Sequence, residues 1–126
     1  MNKYLSYEKS KRLAELGYAI ENPSQYWRTI EQHRAGAAIT HPLVRELVPR
    51  LTGVYYDSYT APDCHDLLLA MQEFKFRLTG LGDEFHIVTR PNGVDPGYLL
   101  SVDSNPVEAL GAALIALLES NVEEKQ

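Results

Sequence analysis

The chain has 126 residues, of which 44% are hydrophobic and 23% charged, with a formal net charge of −5. That length and balance suit one globular α+β domain spanning residues 1–126 with its own apolar core, and they exclude a largely disordered chain. A single cysteine, Cys64, excludes an internal disulfide, and the longest apolar stretch, Ala109 to Leu118, falls short of the ~20 residues that span a bilayer.

The charged opening MNKYLSYEKSKRLAEL has no apolar run of the signal-peptide kind, so a soluble, cytoplasmic protein is expected. Charge is uneven. Residues 1–63 carry eight Lys/Arg against seven Asp/Glu, a net of +1, and residues 64–126 carry four against ten, a net of −6. An acidic second half disfavours simple binding to a phosphate backbone.

Ser6 can cap a first helix that runs to about Leu16, with Leu13 and Leu16 on its apolar side and Gly17 as its C-terminal stop. Tyr18-Ala19-Ile20 reads as a short strand. Residues 22–53 are ambiguous. Asn22-Pro23-Ser24-Gln25 resembles a helix start, whereas Gln25 to Ile30 is aromatic and β-branched like a strand. Ala35 to Ala38 reads as a loose connection. Pro42 to Leu51 predicts a short helix, with Leu43, Leu47 and Leu51 on one face and Pro49 late in it.

Val54 to Tyr59 reads as extended, and Thr60 can cap a helix from Ala61 to about Met71, with Pro62 and Asp63 in its first turn. Phe74, Phe76 and Leu78 alternate with Lys75, Arg77 and Thr79, which predicts a half-buried strand. A turn at Gly80–Asp83, a strand from Glu84 to Arg90, a turn-rich loop over 91–97 and a third strand with Tyr98, Leu100 and Val102 facing inward complete a meander. Asn105-Pro106-Val107-Glu108 opens a last helix carrying Leu110, Leu114, Leu117 and Leu118, and residues 121–126 read as a frayed tail. The fold class expected is α+β: a two-layer, three-stranded antiparallel meander with helices packed on one face.

Candidates for chemistry are few. Asp63-Cys64-His65-Asp66 places a thiol beside an imidazole and two carboxylates, but neighbouring helical residues point about 100° apart. A Cys64 nucleophile would need a histidine brought in by the fold, such as His86. His33, His41, His65 and His86 show no His-x-x-x-His spacing, and no Cys-x-x-Cys is present, so no metal or cofactor is expected. Asp63 and Asp66 read as first-turn acids of a helix. Lys75, Arg77, His86 and Arg90 can share the outer face of the meander without the stacking aromatics of an RNA platform. The aromatic-rich first half, with Tyr26, Trp27, Tyr55, Tyr56 and Tyr59, is the candidate interface.

Three stretches carry a resemblance: Ser6 to Tyr18, a helix ending in Leu-Gly-aromatic; Tyr59 to Leu68, with Ala-Pro before Leu-Leu; and Asn105 to Leu114, a closing Ala-Leu helix. Together they cover roughly a third of the chain and resemble a loose group of small phage and prophage proteins of unknown function. The resemblance implies no activity and no catalytic residues. The function expected is that of a non-enzymatic, phage-type accessory protein acting through a protein partner or self-association. The alternatives are a small hydrolase or transferase centred on Cys64, with His65 or His86, and a nucleic-acid-binding or DNA-mimic protein.

Overall fold

The computed structural model describes residues 3–31, 42–74, 76–89 and 98–124. The elements in chain order are α1 (Tyr7–Glu15), β1 (Tyr26–Glu31), β2 (Leu43–Val48), β3 (Asp57–Thr60), α2 (Cys64–Ala70), β4 (Phe76–Leu81), β5 (Glu84–Thr89), β6 (Tyr98–Asp103) and α3 (Pro106–Glu124), with a 3-10 turn at Met71–Glu73 after α2. They form two antiparallel three-stranded sheets, one in the order β2-β1-β3 and one in the order β4-β5-β6. The fold is therefore α+β, and the second sheet is the expected meander. Helix α3 lies on β5 and β6, α2 packs on α3, and α1 touches both α3 and β3.

The core belongs to the second half and to the helices. Leu5, Leu13, Leu67, Met71, Ile87, Val107, Leu110 and Leu114 are buried together, with Ala109 and Ala113 letting the sheet approach α3. Burial of each large side chain contributes about 1.5–3 kcal/mol before entropy is counted. The start of α3 is fixed as its sequence indicates: Val107 N–H donates to Asn105 Oδ1 at 3.1 Å. Its third residue, Glu108, reaches elsewhere and accepts from Ser6 N–H at 2.9 Å and from Lys9 at 2.8 Å.

Helix α1 ends in a left-handed cap. Gly17 takes φ +87°, Gly17 N–H donates to the Ala14 carbonyl, and Tyr18 N–H donates to the Leu13 carbonyl. This cap explains why Tyr18-Ala19-Ile20 is not the expected strand: the Tyr18 amide is already used. Its ring packs on the core instead, where burial pushes the phenol up to about 12. Ser6 precedes α1 but does not cap it with its side chain; that hydroxyl faces Glu108 at 3.3 Å.

Within the ambiguous stretch 22–53, Tyr26–Glu31 is strand β1, and residues 32–41 lie outside the described residues. Pro42–Leu51, expected as a helix, is instead strand β2, paired with β1 from Tyr26↔Val48 to Glu31↔Leu43. Helix α2 begins three residues later than expected. Asp63, not Thr60, is its cap, because Asp63 and Asp66 form a reciprocal capping box: Asp66 N–H donates to Asp63 at 2.9 Å and Asp63 N–H to Asp66 at 3.1 Å. Strand β4 runs on to Leu81, so the hairpin turn is only Gly82-Asp83, with Gly82 at φ +61°. Helix α3 continues to Glu124, through most of the tail expected to fray. The expected connection at 35–38, the loop at 91–97, and Lys75 and Arg90 lie outside the described residues.

The largest correction within the meander concerns β6. Ile87 pairs with Ser101 and Val88 with Leu99, which leaves Leu100 as an extra residue. Such a bulge sets two residues against one and resets the alternation. Leu100 and Ser101 therefore both stand opposite Ile87. Leu100 packs on the core, and Ser101 Oγ donates to the Ala109 carbonyl at 2.6 Å. Val102, expected inside, faces outward and is 40% exposed. Leu78 shares the inner face with Ile87, yet at the edge of the sheet it stays partly exposed.

Candidate functional site

The five aromatic candidates divide between the two faces of the first sheet. Trp27, Thr29, Arg45, Asp57 and Tyr59 occupy cross-strand positions of one face, which meets α1. Tyr7 of α1 is the centre of that contact. Its ring meets Trp27 and Tyr59 edge-to-face, with centroids 6.3 and 5.6 Å apart, and the Arg45 guanidinium sits 4.0 Å from its centroid. Trp27 Nε1–H donates to the Leu5 carbonyl at 2.7 Å. Trp27 and Tyr59 therefore join the first sheet to the rest of the fold.

The same contact holds a polar cluster. The Tyr7 hydroxyl donates to Asp57 Oδ2 at 2.6 Å. Burial pushes the Tyr7 phenol up, and Asp57 beside it adds to the rise. At Asp57 burial acts to raise the pKa, but the Thr29 and Tyr7 hydroxyls and the Lys11 and Arg45 cations outweigh it, so the carboxyl lies below its usual value. Thr29 Oγ1 and Asp57 Oδ1 face this cluster without completing a well-formed hydrogen bond.

The opposite face carries Tyr26, Arg28, Ile30, Val44, Glu46 and Val48. Beyond Thr29 the chain before β3 leaves the sheet and crosses this face. Arg28 holds it there by donating to the Thr52 carbonyl at 2.7 Å and to Glu46 at 2.7 Å, and Tyr56 N–H donates to the Thr29 carbonyl at 2.8 Å. Gly53, at φ +76°, makes the bend. Between strand and crossing segment lies a groove of about 590 Å³, lined by Arg28, Ile30, Glu31 and Thr52–Tyr56. Val54 is 93% and Tyr56 63% exposed on its rim. Of the candidate aromatics, Tyr55 and Tyr56 line this groove, and Tyr26 is half-buried farther along the same face. Sequence reasoning missed Arg28, Ile30 and Val54. The turn-forming Thr52-Gly53 was the signal that could have placed Val54 at a tip.

The thiol candidate lies elsewhere. Cys64 opens α2 and lines a smaller hollow of about 280 Å³ with Lys3, Asp63, His65, Asn105, Pro106 and Val107. Burial pushes the Cys64 thiol up, and the Asp63 carboxylate adds to the effect, the opposite of what a nucleophilic thiolate needs. His65 is exposed. His86 lies on the face of the second sheet turned away from α3, in a row with Thr79 and Val102, and contacts Glu84 at 3.4 Å. The fold does not bring it to Cys64. Among the described residues, no three His, Cys, Asp or Glu side chains converge as a metal site. Arg77 and His86 share the outer face with Val88, Leu99 and Val102 rather than with stacking rings.

Comparison with protein families, with curated proteins and with solved structures finds no match to this chain.

Proposed function

We propose that this chain is a non-enzymatic binding domain of the small phage-type accessory kind, and that it takes a protein partner on the groove of the first sheet. The observation that supports this reading is the Val54–Tyr55–Tyr56 segment. It presents apolar and aromatic surface to solvent, while its Tyr56 N–H bonds the β1 backbone and the Thr52 carbonyl just before it accepts from Arg28. A pinned segment loses little entropy on binding, and tyrosine beside aliphatic surface is common where interfaces concentrate their affinity. The groove walls are charge-compensated, because Arg28 is satisfied by Glu46 and by a carbonyl. That chemistry suits an apolar or aromatic side chain of a partner better than an anion. No described helix is long and apolar enough to cross a membrane, and a cytoplasmic setting for the free Cys64 belongs to the same proposal.

The test is a comparative pull-down with the whole chain, its Tyr56→Ala form and its Val54→Asp form. A protein captured by the wild type and lost from both variants, with unchanged melting temperatures, supports the groove. Capture that survives both substitutions removes it.

A further inference from the structure

The outer face of the second sheet departs from what an antiparallel sheet with one covered face usually shows. Outward positions should be polar. Here the cross-strand rows are Arg77, Val88 and Leu99, then Thr79, His86 and Val102, then Leu81 and Glu84. Leu99 and Leu81 are each 57% exposed. The bulge in β6 is the cause at one row. With regular alternation Val102 would point to α3 and Ser101 to solvent. The extra residue turns Ser101 inward, where it bonds the Ala109 carbonyl, and turns Val102 out. The strand thus exposes an apolar side chain that the sequence could have buried.

We infer that this face is a self-association surface whose occupant is a second copy of the same chain. Charge selects that occupant. Among the described residues of the face, the cation Arg77 stands at one end of the strands and the anion Glu84 at the other, with Thr79, His86 and Val102 in the row between. Among the described residues Arg77 makes no ion pair. A two-fold axis lying in the interface across the strands, at the level of His86, lays the Arg77 row of one copy over the Glu84 row of the other. Each Arg77 then stands above Leu81 of the second copy, one strand spacing of about 4.8 Å from its Glu84, and Val102 meets Val102 near the axis. The pairing is made twice by symmetry. A surface with one charge sign could not match itself in this way.

The area sets the strength. Three strands about 4.8 Å apart and six residues at about 3.3 Å each give a face of about 300 Å² on each copy, at the small, transient end of protein interfaces. A reversible dimer is therefore expected, filling only at concentrations of about 0.1–1 mM.

Sedimentation of the whole chain across that range should show the mass rising from 14.2 kDa toward twice that value. Arg77→Glu alone and Glu84→Arg alone should each weaken association about tenfold, and the double exchange should restore it. Leu99→Glu should abolish it, with far-ultraviolet circular dichroism unchanged in every variant. A chain that stays monomeric throughout overturns the inference. So does a dimer that ignores Leu99→Glu, or one whose affinity is indifferent to the charge exchanges. Tyr56→Ala, in the groove beside the first sheet, should leave the dimer intact, which separates this surface from the proposed partner groove.

Discussion

The two sheets have equal strand counts and the same antiparallel pairing, but different chemistry joins them to the helices. The second sheet meets α3 through Ile87, Leu100, Phe85 and Phe76, against Val107, Leu110 and Leu114. The first sheet meets α1 through a tyrosine ring, a carboxylate, a guanidinium and an indole N–H. Apolar contact is non-directional and scales with area, whereas the polar contact depends on a few donors in fixed geometry. The second sheet is thus secured by bulk, and the first by a small number of individually replaceable bonds.

The comparison is broken most severely in the apolar half. Leu114 is 1% exposed, so Leu114→Asp places an uncompensated charge in the core and should cost about 4 kcal/mol or more, enough to unfold a domain of this size. Normal circular dichroism and an unchanged melting temperature would refute the core assignment. Next comes Gly111→Ala. A methyl group there would overlap the Leu5 side chain, which is fully buried and must shift within the packed core. The loss should be about 1–3 kcal/mol by denaturant titration, despite the better helix propensity of alanine.

In the polar half the effects are smaller and sharper in character. Tyr7→Phe removes one hydroxyl and leaves Asp57 short of a donor, at a cost of about 1–2 kcal/mol. The fluorescence of Trp27, the single tryptophan, should report that loss. Asp57 also gives this half a dependence on acid. Its folded pKa lies below the ordinary 3.8, so its contribution is fully present above that value and is lost as pH falls through the lower folded one. Asp57→Asn should flatten the acid limb of the Trp27 signal, and an unaltered limb would exclude the carboxylate as its source. The smallest expected effect is Val102→Thr, on the exposed outer face, at within about 0.5 kcal/mol.

How legible these features were in the sequence follows the same division. The meander and α3 could be read because Phe76 to Thr79 alternates cleanly and Asn105-Pro106 caps where it should. β2 could not, because Leu43, Leu47 and Leu51 repeat every four residues like a helix stripe. Its strand character lay in Val44 and Val48 and in Pro42 and Pro49 at the ends, which suit an edge strand. The bulge was invisible because the extra residue exists only relative to β5. Of the five aromatic candidates, the sequence could not say which face each would take. That depended on Tyr7 of α1, whose contacts with Trp27, Tyr59 and Asp57 arise only in the folded chain.

Leu5 carries a consequence for how the chain reaches this state. Its side chain fills the space over Gly111, its amide donates to the Pro62 carbonyl, and the next residue bonds Glu108, 102 positions away. During synthesis this segment must wait, unburied, until the last helix has emerged. Closing so long a loop is slow in proportion to its sequence separation. Folding should therefore finish late and all at once, with little of the apolar half protected in nascent chains that stop short of α3.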